Sequence, residues 1–291
     1  MFRYSISNWI YGREDLAATL DRLVRFDYDG VELWGEPDVY DPHQVLRLCQ
    51  ERGLNVLSIA GMYPWPTEER DLSNPDPKIR ARAVDYLRRC CDFAHLLQAP
   101  LIIVVPSAVA KTRPVGDPRT EEAWQRAIEA EWGYAVESVR RAAKYAESGE
   151  ILLAIEPINR YETFLLNTVE EGLRFVDEVD SEAVKLHLDS FHMNIEEDDP
   201  AEAVRNAGDR LINFHVADSN RQGVGRGHID FRALIAALVE IDYQGALAME
   251  PLPPVPDPYM AIRMSGFGEL HGAYAQESIE RLKAFEAEVR G

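Results

Sequence analysis

Apolar residues along the chain fall into two alternating patterns. Eight short β-rich runs read as strands: FRYSIS (2–7), GVELW (30–34), NVLSIA (55–60), LIIVVP (101–106), ILLAIE (151–156), VKLHLD (184–189), INFHVA (212–217) and ALAME (246–250). Between them lie amphipathic segments such as LAATLDRLVRF (16–26) and YAVESVRRAAKYAES (134–148). In the second, Val136, Val139, Ala143 and Ala146 recur at helical spacing, with charges on the opposite face. Gly-containing turns, RGLN (52–55), SGE (148–150) and QGA (244–246), stand just before strands, where helices are expected to stop.

Strands alternating with helices pair in parallel through right-handed crossovers, and eight of them close a (β/α)8 barrel. The other α/β solution is an open doubly wound sheet. Built for a dinucleotide, it would carry GxGxxG after the first strand, and none is there. The expectation is therefore an α/β protein, a TIM barrel spanning residues 1–291 as one domain. Two loops, about 61–77 and about 251–272, are longer than a barrel needs and follow strand C-termini, the face on which barrel active sites are built.

Composition narrows the function classes. No run approaches 18 apolar residues, and MFRYSISNWIYGRED lacks the basic and apolar regions of a signal peptide, so a soluble, cytoplasmic protein is expected. Cys49, Cys90 and Cys91 show no CxxC spacing and sit in helical patterns, as buried small hydrophobes do. With 50 acidic against 31 basic residues and a net charge of −19, the chain does not suit a nucleic-acid backbone. That charge does suit a cation.

The strand ends give the cation a place. The fifth run ends on Glu156, the sixth on Asp189 and the eighth on Glu250, while the seventh carries His215. Any one of these alone is a strand meeting water or a hydrogen-bonded core histidine. Four metal-ligating types at the same end of four consecutive strands converge in a closed barrel. Three carboxylates so placed repel one another unless a cation neutralises them. The oxygen-rich set with one imidazole suits Mn²⁺, with Mg²⁺ or Co²⁺ as less distinctive choices, and the lack of thiolates disfavours structural zinc. His187, two residues before Asp189, is expected to pack inside the barrel.

At IEPINRYE (155–162), HLDSFHMNIEE (187–197), FHVADSNRQGVGRGHIDF (214–231) and MEPL (249–252) the chain resembles the xylose isomerase-like sugar isomerase/epimerase superfamily. It is most similar there to the ketose 3-epimerases, the group that contains D-tagatose and D-psicose 3-epimerase. DLSNPDPKIRARAVDYLRRCCDFAHLLQAPLI (71–102) is a weaker echo of the same proteins. The resemblance implies that Glu156, Asp189, His215 and Glu250 are the metal ligands, and that Glu156 and Glu250 are also the acid/base pair. It implies that Glu162, His192 and Arg221 hold substrate oxygens, that the substrate is a ketose, and that the assembly is a homodimer or homotetramer. Trp9, Tyr11, Tyr63 and Trp65 are open to two readings, an apolar wall for the far end of a sugar or ordinary loop packing.

C3 epimerisation of a free ketose needs a base, an electrophile for the developing oxyanion, and a second carboxyl on the opposite face. The alternatives on the same barrel are an aldose–ketose or hydroxypyruvate-type isomerase, a sugar-phosphate 3-epimerase and an inosose-type dehydratase. A phosphorylated substrate calls for gathered cations. The sequence offers only Lys111, Arg113 and Arg221.

Overall fold

Each of the eight apolar runs forms a strand: β1 (Arg3–Ser7), β2 (Gly30–Trp34), β3 (Asn55–Ala60), β4 (Leu101–Val104), β5 (Leu152–Ile155), β6 (Val184–Asp189), β7 (Leu211–Val216) and β8 (Ala246–Met249). They pair in parallel in chain order, and β8 returns to β1 through Arg3 opposite Ala246 to close the barrel. The helices are α1 (Leu16–Arg25), α2 (Pro42–Gln50), α3 (Pro77–Leu97), α4 (Glu121–Gly149), α5 (Val169–Val179), α6 (Ser190–Glu196), α7 (Pro200–Ala207), α8 (Phe231–Glu240) and α9 (Gly268–Arg290). This computed structural model describes residues 1–61, 68–116, 118–256 and 258–291, without the side chains of 258 and 259. The result is a single-domain TIM barrel.

Local chemistry starts the helices. Asp15, Asp41, Asp76, Asp199 and Asp230 each accept a backbone N–H of the first turn, and Thr168 with Glu171 completes a capping box at α5. α9 is the exception. Its N-cap, Phe267, makes no side-chain capping bond, and the helix begins at Gly268. Residues 268–272, expected as the end of a loop, are therefore helical.

Most of the apolar core lies between the strands and the helical ring. A smaller cluster of Leu101, Ile103 and Ala154, with Leu152 and Ile212 against it, fills part of the strand layer. The three cysteines are buried and free, as small hydrophobes. Ser5, Ser7, Glu32, Ser58, His187 and Asn213 are polar strand residues with 0% exposure. Such burial requires hydrogen bonds or charge pairs to offset desolvation.

Two register shifts place polar groups side by side. Between β2 and β3 the pairing slips after Val31, so that Glu32 stands opposite Ser58 rather than Leu57. Between β6 and β7 it slips after Leu186, so that Asp189 stands opposite His215 rather than Phe214. Irregularities of this kind re-aim side chains next to functional sites, because one residue of slip exchanges the two faces of a strand.

Candidate active site

Glu156 and Glu250 are the first residues past β5 and β8, Asp189 is the last of β6, and His215 is the penultimate residue of β7. All four are at most 1% exposed. Their donor atoms converge: His215 Nδ1 lies 3.2 Å from Glu250 Oε2, 3.8 Å from Glu156 Oε1 and 3.8 Å from Asp189 Oδ2. An octahedral ion with oxygen ligands near 2.1 Å holds neighbouring donors roughly 3 Å apart and opposite donors roughly 4.2 Å apart. The observed spans fall inside that range. Glu156 Oε2, His215 Nδ1 and His192 Nε2 are also buried without a hydrogen-bond partner among the described residues. Unsatisfied buried donors and acceptors around common ground fit a cation and a polar ligand.

Asp189 does two jobs at once. It caps α6, where Oδ1 accepts the Phe191 backbone N–H at 2.8 Å, and this leaves Oδ2 directed at the site. Arg221 lies across the same group. Its Nη1 donates to Asp189 Oδ2, its Nη2 donates to Glu250 Oε2 at 2.5 Å, and its guanidinium stacks 4.8 Å from the Phe191 ring. The Arg221 backbone is left-handed, φ +58°, a strained conformation of the sort retained at functional sites.

The resemblance assigned Arg221 to substrate oxygens, whereas here it bonds two of the four candidate ligands. His192 borders the same group of side chains. Its Nδ1 accepts the Asn159 backbone N–H at 3.2 Å, so in the neutral ring the proton sits on Nε2. Nε2 is 3.9 Å from Glu156 Oε1 and 3.8 Å from Asp189 Oδ2. Glu162 is half-buried in the loop after β5, and its Oε1 accepts from Asn159 Nδ2 at 2.8 Å. Asn159 therefore ties Glu162 to His192.

Of the four aromatics, Trp9 and Tyr11 are buried in the turn after β1. The indole N–H of Trp9 donates to Glu250 Oε1 at 2.5 Å, a direct bond to the site rather than simple packing. Tyr11 packs against His271, ring centroids 4.9 Å apart. Tyr63 and Trp65 lie outside the described residues. Gly12 allows this arrangement: at φ +61° its backbone passes so close to the segment after β8 that a Cβ there would lie 1.9 Å from the Ile262 carbonyl oxygen.

His187 does lie inside the barrel, but not as an apolar filler. Its Nε2 is 3.6 Å from Glu156 Oε1, its ring packs edge-on against His215 at 4.0 Å, and neither nitrogen is hydrogen-bonded among the described residues. Among those residues the groups able to hold a cation interlock through shared members: Glu156, His187 and His215; Glu32, His215 and Glu250; Glu156, Asp189 and His192. Glu32 was not singled out from the sequence. Its signal was present, as one charge between Val31 and Leu33 in a strand of a fold whose strands are buried on both faces.

The electrostatics follow from burial and charge. Burial pushes Glu156 up to about 8, against the pull of His215 and His192 and with help from Asp189 and Glu250. Burial also acts upward on Asp189, but Arg221, His192 and His215 outweigh it and hold that carboxyl well below its usual range. Burial lowers His187 to about 3, so it is neutral near pH 7. Desolvation would lower His215 too; Glu250 and Glu32 overcome it and raise the imidazole well above its usual value.

A closed parallel barrel with convergent carboxylates and an imidazole at its strand C-termini defines an enzyme with a site suited to a divalent ion. The chain belongs to the xylose isomerase-like TIM barrel family, whose model matches residues 20–284. It is similar to the D-psicose 3-epimerase of Ruminiclostridium cellulolyticum, 35% identical over 241 residues that cover 80% of this chain and 76% of that one. It is likewise 35% identical to the L-ribulose 3-epimerase of a Methylomonas species over 233 residues, 78% of this chain and 75% of that one. A crystal structure of D-psicose 3-epimerase with D-tagatose from Clostridium cellulolyticum H10 superposes with a TM-score of 0.82 at 27% identity, covering 98% of this chain and 99% of that one. The protein is an epimerase, of the isomerase class.

Proposed function

We propose that the protein epimerises free ketoses at C3, with a divalent ion, Mn²⁺ by preference, held by Glu156, Asp189, His215 and Glu250. When bound, that ion supplies Lewis-acid stabilisation of negative charge on the sugar oxygens beside the reacting carbon. Glu156 and Glu250 perform the proton transfers: one carboxylate removes the C3 proton, and the other carboxyl returns a proton to the opposite face through an enediolate. His192, with its proton on Nε2, donates to a sugar oxygen. Arg221 donates to a second, and Glu162, tied to His192 through Asn159, accepts from a hydroxyl.

The observation that carries this reading is the contrast between the two glutamates. Burial raises the Glu156 carboxyl to about 8, and its Oε2 has no hydrogen-bond partner among the described residues. Glu250, across the same imidazole nitrogen, accepts hydrogen bonds on both oxygens, from Trp9 and Arg221. Two carboxyl groups thus face one imidazole nitrogen from different strand ends, which suits a pair that removes a proton from one face of a carbon and returns one to the other.

Free sugars are favoured over phosphorylated ones because two of the three cations named for a phosphate, Lys111 and Arg221, already neutralise carboxylates. Lys111 is bonded to Asp71 at 2.6 Å and Glu131 at 2.5 Å, and Arg221 to Asp189 and Glu250. The reading extends to a homodimer or homotetramer, checked by light scattering. For the compartment, the supporting fact is that no helix of the described residues is long and apolar enough to cross a membrane.

The test is an assay in D₂O. Metal-stripped protein, restored with Mn²⁺, is offered D-fructose, D-tagatose, D-psicose, L-ribulose and D-xylulose, and the products are resolved by chromatography and NMR. Metal-dependent deuterium at C3 together with a C3 epimer is expected. Label at C1 with an aldose product, or no exchange at C3, refutes the assignment.

A further inference from the structure

Glu32 is the most completely bonded carboxylate in the barrel interior, and the chemistry above gives it no task. It sits in the middle of β2, fully buried. Its Oε1 is 2.8 Å from His215 Nε2. Its Oε2 accepts from Ser58 Oγ at 2.7 Å and from Asn213 Nδ2 at 3.2 Å. The β2–β3 register shift brings Ser58 alongside Glu32, and Asn213 lies two residues before His215 on the same strand. Three donors from two further strands thus hold one carboxylate in a single orientation.

We infer that Glu32 is a positioning residue: anchored by Ser58 and Asn213, it binds the Nε2–H of His215 and so turns the Nδ1 lone pair toward the divalent cation. This rests on the proposed metal reading. The direction of the bond is set by chemistry. Glu32 already accepts from two neutral donors, so its carboxylate meets the imidazole as an acceptor and Nε2 is the donor. The other nitrogen, Nδ1, is the one that lies 3.2–3.8 Å from Glu250, Asp189 and Glu156. A ring held in this way loses its alternative tautomer and its freedom to rotate, and its remaining nitrogen becomes a stronger base.

The same geometry separates Glu32 from the ligands themselves. Oε1 is spent on the ring edge remote from Nδ1, and Oε2 is spent on Ser58 and Asn213. An ion seated on Nδ1 therefore draws on Glu32 only through the ring.

Two measurements test the inference. In Glu32→Gln, which keeps the size and loses the charge, the Mn²⁺ dissociation constant measured by calorimetry should rise by about 10- to 100-fold. In the wild-type protein labelled with ¹⁵N-histidine and loaded with diamagnetic Zn²⁺, His215 should retain a protonated Nε2 while Nδ1 carries the metal-induced shift. A Glu32→Gln constant within twofold of wild type overturns the inference, as does a wild-type spectrum with the metal on Nε2. The second measurement needs no variant, so misfolding of Glu32→Gln leaves the inference exposed to refutation. Wild-type protein that binds no Mn²⁺ refutes the metal reading itself, whereas Mn²⁺ bound equally by wild type and variant refutes only the part given to Glu32.

Discussion

Metal affinity should depend steeply on pH, because a cation at this site competes with protons. Glu156 must ionise to become a ligand, and its carboxyl stands at about 8 in the metal-free protein. Each unit of pH below that value costs about 1.4 kcal/mol of binding free energy. Between pH 8, where the carboxyl is already half protonated, and pH 6 the loss is about 2.3 kcal/mol, roughly fiftyfold in affinity, from Glu156 alone. His215, raised well above its ordinary value by burial-opposing Glu250 and Glu32, must also give up the proton on Nδ1, which steepens the slope. Titrating metal-stripped protein with Mn²⁺ at pH 6, 7 and 8, in paired buffers of different ionisation enthalpy, should show release of between one and two protons per ion. Glu156→Gln should release about one fewer. Stability adds a sign that can be checked separately. A carboxyl whose folded pKa lies above its unfolded value of 4.5 contributes stability that is fully present below pH 4.5 and is lost as pH rises through about 8. Metal-free protein should therefore lose this contribution between those values, and the rise in Tm on adding Mn²⁺ should widen from pH 6 to pH 8. An affinity flat over pH 6–8, with no proton release, would refute this account of the site.

Three further outcomes are expected. Glu156→Gln and Glu250→Gln should each slow C3 epimerisation by about 10²- to 10⁴-fold, the usual scale of general acid–base catalysis, with far-UV circular dichroism unchanged; activity within tenfold of wild type in either would remove that residue from the proton path. Trp9→Phe takes the donor from Glu250 Oε1, and it should lower kcat by about tenfold, at the scale of 1.4 kcal/mol per decade, while KM stays near wild type; an effect on KM alone would assign Trp9 to substrate binding. Lys111→Met leaves Asp71 and Glu131, both 1% exposed, without their shared cation, and should cost about 3–5 kcal/mol in urea unfolding. Adding Asp71→Asn and Glu131→Gln should restore most of that loss, and no recovery would mean that the ion pairs are not its source.

The barrel was legible because its strands are short β-rich runs separated by helical periodicity, and both signals are local. The four convergent side chains were legible for the same reason: once the strands are fixed, their C-terminal ends are fixed too. What escaped depends on contacts across the barrel. Glu32 within GVELW looks like a surface charge until β2 is known to be paired on both edges and Ser58, Asn213 and His215 are known to face it. The slip after Leu186 leaves no mark in VKLHLD or INFHVA, yet it decides that Asp189 meets His215. The start of α9 was hidden because Phe267 offers no capping oxygen, so the sequence lacks the usual signal for a helix N-terminus. Arg221 was named for substrate oxygens, and the resemblance could not show that its guanidinium bridges Asp189 and Glu250.

Two residues of one type acquire different surroundings here because a barrel gives each strand end different neighbours. Glu250 stands after β8, beside β1, and the turn after β1 supplies Trp9 while the loop after β7 supplies Arg221. Both of its oxygens are thereby engaged by donors. Glu156 stands after β5, beside β6, and the imidazoles of His187, His192 and His215 lie 3.6–3.9 Å from its Oε1. Those distances are too long for hydrogen bonds, and burial dominates. The asymmetry needs no special device at either glutamate; it follows from which loops each strand end meets. A reaction that removes a proton from one face of a carbon and restores it on the other requires such a pair to be out of step, and its reverse requires the same pair with the roles exchanged. A divalent ion held here by Glu156 and Glu250 would favour the ionised form of both. The bonds from Trp9 and Arg221 orient Glu250, whereas Glu156 keeps an oxygen with no hydrogen-bond partner among the described residues.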